Sequence, residues 1–429
     1  LSPFRSPHRW RLAAVIVGLV LVASWSAVVR EYRVYRARVA SRERHADQVL
    51  TWLLPLSSAE LDRAGIQFLL ARAYRHTGRL GEAARHLERA HALEYPVEEL
   101  HRERLLALAQ SGNLSQAEPA LGDLLLRPGD DGAEICEAFV AGYFLNYQMG
   151  AGLRLLEAWQ RDYPRDPRPH VFRGRYYEHL MAWQDAAREY RRALELESDS
   201  VETRRCLGQM LLELNEFADA SEQFERCLGH APRDVAALVG RARCLHVAGR
   251  DELARSDLAR ALAVEPDSSE ALAALGGIEL QAGNAADAVV LLRRAAGLDP
   301  QNAEIRYALA GALQSAGDGA AAREHFQFVD EARRAELKMH NAMQLLLSPS
   351  AQLPTTDELK LRFEIGSLAI KYRDPADGVA WLYSALQLDP DYVPAHQLLS
   401  EYFATVGNSA LSAEHLRKAN RSVGASHGS

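Results

Sequence analysis

Cysteine is nearly absent from this chain. Its 429 residues hold four, Cys136, Cys206, Cys227 and Cys244, with no CxxC and no histidine at zinc-ligand spacing, so no metal-binding pattern is present. Cys227 reads as a packing residue, and a Cys227 to Cys244 bridge between neighbouring segments is the one pairing to consider in an oxidising compartment. Lysine is scarce beside arginine, an imbalance that reflects a GC-rich genome more than a binding surface. Catalytic signatures are missing too: no GxSxG, Walker loop, HExxH or dinucleotide glycine fingerprint occurs, so no enzyme, cofactor, metal or small-molecule substrate is expected. The pair Gly276-Gly277 lies inside a helical pattern rather than a phosphate loop. His86 and His91, like His170 and His179, lack the i, i+4 spacing of two ligands on one helix face and read as scattered surface or groove residues. Net charge is -7, yet residues 1–63 carry 10 Arg against 5 acids, leaving 40 basic and 52 acidic residues beyond them. A nucleic-acid groove does not fit that balance.

What the chain has is a period. Ala186, Ala220, Ala254, Ala288 and Ala322 fall 34 residues apart. Gly249, Gly283 and Gly317 keep a second phase, Ala193, Cys227, Ala261 and Ala295 a third, and Pro232, Pro266 and Pro300 a fourth. Small residues at a fixed period of this length mark stacked helix-turn-helix units, none of which buries its apolar face alone. The expected fold is all-α.

The phase of these landmarks resembles the tetratricopeptide repeat (TPR) family: Gly or Ala near position 8, Gly at 15, Ala at 20, an apolar residue at 24, Ala at 27 and Pro at 32. The resemblance implies a right-handed α-solenoid that binds proteins, without naming the partner. About ten units are expected: 64–97, 98–131, 133–166, 167–200, 201–234, 235–268, 269–302, 303–336, 359–392 and 393–426. The weakest is 98–131, with Leu124 in place of the second alanine and Gly129 in place of the proline. Small residues at 8, 20 and 27 let helix backbones approach closely. Gly at 15 supplies a turn with positive φ, and Pro at 32 ends one helix ahead of the next. Nearest-neighbour coupling is expected to keep damage local.

Residues 1–11 form a short basic tail, and Leu12–Val29 is an uncharged run of 18 residues. As a helix it would span about 27 Å, near the thickness of a bilayer core, with Trp10 and Trp25 as interfacial anchors. The expectation is a single-pass transmembrane helix; a cleaved signal peptide is the competing reading and a buried helix the third. Arginines flank both sides, and the chain begins with Leu, so the side of the membrane that carries the repeats is left open. Residues 30–63 read as a basic juxtamembrane helix and linker, in which Ser57 or Ser58 caps a helix ahead of Glu60. Its arginines are either solvated near the headgroups or attracted to anionic lipid.

Residues 337–358 interrupt the array after its eighth unit. The second helix of that unit should continue through LKMHNAMQLLL, a polar loop follows, and Thr355 with Glu358 makes a capping box for the ninth unit. The insertion is either a surface excursion or a hinge or docking loop. Residues 427–429 are a tail.

Function is expected in the groove that the first helix of each unit lines. Arg72, Arg75 and Arg102 come nearest to a carboxylate clamp, but Glu134 and Glu137 follow them, so that mode is not expected. The candidate is instead a smooth stretch of Val239, Gly240, Ala273, Ala274, Gly277, Tyr307, Ala308 and Gly311, with Arg175, Arg205 and Arg243 at its upstream end. Small residues there would admit a helix or extended peptide, and the arginines would read an acidic flank. The bland alternative is that these positions merely tolerate Ala and Gly. Two functions follow: a membrane-tethered scaffold or adaptor, in the manner of bacterial membrane-anchored TPR proteins of envelope or secretion complexes, or a non-catalytic subunit of a stable membrane enzyme or transport complex.

Overall fold

The computed structural model describes residues 25, 27–56, 58–347 and 353–426. Leu12–Val29 therefore lies outside the described residues except at its C-terminal end, as do Ser57 and part of the 337–358 insertion. Among the described residues every regular element is helical, and no helix is long and apolar enough to cross a membrane. The chain divides into two compact bodies, Leu1–Leu145 and Asn146–Ser429. The division falls inside the third sequence repeat.

In the N-terminal body, residues 27–42 are helical and are followed by Ala46–Leu53, Ala64–His76, Leu80–Ala92, Val97–Gln110 and Gly132–Leu145. The basic segment after Val29 is not simply solvated. Its Val34, Ala37 and Ala40 are buried in one cluster with Val49, Leu53, Ile66, Leu70 and Ala73, so the helix covers the apolar face that a first repeat would otherwise expose. The weak repeat 98–131 pays for its departures. Its second helix breaks into Leu114–Ala117, a 3-10 turn Glu118–Ala120 and Leu121–Leu126, because Pro119 lacks the N–H that an unbroken helix would use there.

In the C-terminal body, Met149–Asp162 precedes the pairs Arg168–His179 with Trp183–Leu196, Val201–Glu213 with Phe217–His230, Val235–Val247 with Asp251–Val264, and Ser269–Gln281 with Ala285–Leu298. Next come Ala303–Ser315 and the long helix Gly319–Leu347, then Thr355–Tyr372, Pro375–Leu388, Val393–Thr405 and Ser409–Ser426. The periodic residues explain the pairing. Ala186, Ala220, Ala254 and Ala288 are fully buried. A Cβ on Gly276 would stand 2.6 Å from Cγ of Leu292, so only glycine lets these two helices close. At position 15, Gly249, Gly283 and Gly317 have φ of 72°, 84° and 89°, and Asn215 and Met181 take the same left-handed turn.

Two recurring contacts were not apparent from the glycine and alanine pattern. Position 34 is an N-cap: Ser200, Asp234, Ser268 and Asn302 accept hydrogen bonds from the N–H groups of Thr203, Ala237, Ala271 and Ile305, each worth about 1 kcal/mol. Arg260 and Arg294 each donate to the carbonyl of the preceding repeat's proline, Pro232 and Pro266, at 3.0 Å. Thr355, by contrast, is not an N-cap. It is the first helical residue after Pro354, and Glu358 is engaged by Arg362.

The second helix of the eighth repeat does continue, as far as Leu347. Its end reaches back four repeats, where the Tyr176 hydroxyl donates to the Leu347 carbonyl at 3.2 Å. A second long-range contact lies at Tyr147, which holds a φ of 55° where other repeats place glycine. Its ring stacks on Trp381 with centroids 3.4 Å apart, and its hydroxyl donates to Asp377 at 3.0 Å. Gln387 bonds Asn146 beside it.

Candidate functional site

First helices of successive repeats touch from Val201–Glu213 through Val235–Val247 and Ser269–Gln281 to Ala303–Ser315. Their outward positions therefore form one surface. Arg243 is exposed on it and pairs with no carboxylate among the described residues. Gly277 is half-buried, and a Cβ built there meets nothing within 4 Å. At Gly311 a Cβ would meet only Leu280, in an ordinary contact at 3.6 Å. Tyr307 is 53% exposed; Phe326 packs edge-on to its ring, and the Arg333 guanidinium lies 5.5 Å above it. Arg333 belongs to the long helix and was not a sequence candidate.

Other candidates face elsewhere. Val239 is 7% exposed and belongs to the core of its body. Gly240 faces Phe224, whose Cε2 would lie 2.6 Å from a Cβ. Both are packing residues, and the small side at Gly240 exists for the phenyl ring. Ala273 is half-buried and packs at the edge of the cluster that contains Leu292 and Leu309. At the upstream end Arg175 is engaged by Glu202 at 2.7 Å, and Arg205 stands 4.0 Å from Asp234. Tyr190 donates to Glu178 at 2.9 Å, and burial raises the Glu178 carboxyl above its ordinary value.

Cys227 is fully buried, and all four cysteines are free thiols. Burial pushes the Cys227 and Cys244 thiols up to about 11, which leaves little thiolate at neutral pH. His170 is not on the surface: it is 6% exposed, with Nδ1 2.7 Å from Oε2 of Glu189. Among the described residues no cluster of His, Cys, Asp and Glu is arranged to hold a metal.

The N-terminal body has a different first-helix face. Arg72 donates to Asp131 at 2.6 Å and Glu134 at 2.7 Å, while Arg75, 2% exposed, meets both Glu103 and Glu134. His76 and Arg44 approach Glu134 at 3.3 and 3.6 Å. Burial works to raise the Glu134 carboxyl, but the hydrogen bond from His76 and the charges of Arg72 and Arg75 overrule it and hold the group well below the usual range. The arginines nearest to a carboxylate clamp, Arg72, Arg75 and Arg102, are thus paired with the chain's own carboxylates, although Arg72 Nε is buried without a partner.

Tetratricopeptide repeat family models match residues 279–346 and, in a second model, 207–263 and 252–303. Residues 207–346 are therefore tetratricopeptide repeats. No curated protein sequence matches the chain. Among solved structures, it is similar to a human IFIT1 dimer with m7Gppp-AAAA, at 17% identity over 83% of this chain and 90% of that one, with a TM-score of 0.41. PilW, a widely conserved type IV pilus biogenesis factor, aligns at 22% identity over 45% of this chain and 90% of its own, with a TM-score of 0.41. MamA from Desulfovibrio magneticus RS-1 aligns at 20% identity over 40% and 96%, with a TM-score of 0.32.

Proposed function

We propose that this chain is a membrane-tethered scaffold, not an enzyme, that holds a partner protein on the first-helix surface of residues 201–315. The observation that carries the reading is the row at the ninth position of successive repeats, where Arg243 is exposed, a Cβ at Gly277 would meet nothing within 4 Å and one at Gly311 would meet only Leu280, at 3.6 Å. Tetratricopeptide repeats commonly serve protein binding, and an apolar, small-residue floor beside an unpaired arginine suits a helical or extended segment with an acidic flank. The tether is the uncharged run Leu12–Val29, making the protein single-pass and membrane-located. Assembly of an envelope or secretion complex is the setting this combination suits.

The test is capture from membranes in mild detergent with the intact chain and with Gly277→Leu as baits, alongside alkaline carbonate extraction. The expected result is a chain that resists extraction and a set of substoichiometric partners that Gly277→Leu loses while its circular dichroism is unchanged. A single partner at fixed stoichiometry would instead define a complex subunit. Extraction by carbonate would remove the tether, and normal capture by Gly277→Leu would remove the groove.

A further inference from the structure

The helix at residues 27–42 has two apolar faces, and the stack uses one. Val34, Ala37 and Ala40 are at most 3% exposed against the first repeat. On the opposite side Val28, Tyr32 and Tyr35 recur at helical spacing and are 61%, 51% and 62% exposed, continuing a line from Trp25 at 70%. Aromatic side chains with a polar tip gain most where one end is apolar and the other wet, which is the condition of a bilayer headgroup layer. Leaving several on one face of a docked helix is otherwise unfavourable.

Charge around the stripe is one-sided. Residues 27–44 contain Arg30, Arg33, Arg36, Arg38, Arg42 and Arg44 against Glu31 and Glu43. Glu31 is already taken by Arg30 at 3.3 Å and Arg63 at 3.0 Å, while Glu43 stands exposed, 3.6 Å from Nδ1 of His45. Arg36 donates to the Tyr32 hydroxyl and lies 5.1 Å over Trp52. Arg38 and Arg42 are exposed beside the stripe and pair with no carboxylate among the described residues. In sequence, the helix takes in the last residues of the uncharged run that ends at Val29.

We infer that the stripe Val28, Tyr32 and Tyr35, with Arg38 and Arg42, is a bilayer-facing surface that lies on anionic phospholipid headgroups. This rests on the tether reading for its geometry, since Leu12–Val29 would deliver the helix to the headgroup layer. The surface presses the first repeat toward the membrane, with the aromatic rings at the acyl boundary and the two free guanidiniums on lipid phosphates.

The full chain is reconstituted in nanodiscs of phosphatidylcholine with or without phosphatidylglycerol, as the parent and as Tyr35→Trp. Bromolipid quenching of the introduced indole is read against the parent. Strong quenching is expected in anionic discs, roughly tenfold or more weaker occupancy in neutral ones, and loss of the difference with Arg38→Glu/Arg42→Glu in the same chain. A bilayer-bound chain whose introduced indole is unquenched in both lipids overturns the surface and leaves the tether standing. Equal quenching in both lipids overturns the anionic assignment, and a protein cross-linked at position 35 in place of lipid overturns the whole. If the chain fails to stay in the discs, the tether reading is lost, and the surface is then judged on preformed phosphatidylglycerol vesicles. Adsorption that the double arginine variant abolishes sustains it; no adsorption overturns it.

Discussion

Arg72 and Arg243 occupy the same ninth position of their repeats, one in each compact body. Arg72 meets Asp131 and Glu134 and sits beside a buried Arg75 that shares Glu134, whereas Arg243 stands exposed without a carboxylate partner among the described residues. One fold device thus gives a face neutralised from within and a face left for something else. The second position of the following repeats carries glutamate in both cases, Glu99 and Glu134 in the first and Glu270 and Glu304 in the second, so the difference lies in which carboxylates turn onto the arginines. Asp131 and Glu134 turn inward onto Arg72 and Glu103 onto Arg75 in the first case, whereas in the second Ala273 and Tyr307 hold the fifth position and neither Glu270 nor Glu304 pairs with Arg243. Arginine at a groove position is therefore a recognition residue only where the neighbouring repeat declines to pair with it.

The harshest way to break this comparison is Glu134→Gln, which keeps the shape and leaves Arg72 and Arg75 short of a buried counter-charge. The expected cost is about 3–5 kcal/mol, confined to the N-terminal body and visible as faster hydrogen exchange in 64–145 with 201–315 unchanged. Because the Glu134 carboxyl is depressed in the folded state, its contribution is full above the ordinary glutamate range near ~4.3 and is lost as pH falls below it. Acid titration of the parent should loosen this body in that window, and the variant should lack that step. Unchanged exchange in 64–145 would mean that the network is ornamental.

Within the C-terminal body, Gly240→Leu and Gly277→Leu sharpen the contrast between a packing glycine and a surface glycine. Gly240→Leu drives a side chain into the Phe224 ring and should cost about 1–3 kcal/mol in thermal unfolding, while Gly277→Leu should leave the melting curve in place and abolish partner capture. Equal melting curves would erase the distinction. The smallest effect belongs to Arg243→Glu. It should weaken an acidic partner by no more than about tenfold and flatten the salt dependence of what remains, as followed by binding at two ionic strengths; an unaltered salt slope would return Arg243 to the solvated surface.

The repeats themselves were legible because packing that recurs writes itself into the sequence at a period. The alanines at position 20 and the glycine turn at position 15 carry that mark, whereas the continuation of the eighth repeat's second helix to Leu347 was legible because nothing in LKMHNAMQLLL stops a helix before Ser348-Pro349. The N-caps at position 34 carried it as well, in Ser200, Asp234, Ser268 and Asn302, and went unread because four residue types perform the same hydrogen bond. The groove was legible only in part. Val239 and Gly240 share a chemistry with Ala273 and Gly277, and composition alone does not say whether a small residue faces a void or a neighbour's ring. Contacts made once, such as Tyr147 with Trp381, Tyr176 with Leu347 and Arg333 over Tyr307, have no period to betray them.

The Tyr147 to Trp381 contact changes what kind of object the C-terminal body is. A linear row of repeats can be shed from its free end, one at a time, each loss costing a single interface. Fastening residue 147 to residue 381 turns that row into a closed circuit. A pull applied between Asn146 and the last helix would then load the ring stack and the Asp377 hydrogen bond first, and the repeats between them would bear no tension until that clasp had given way.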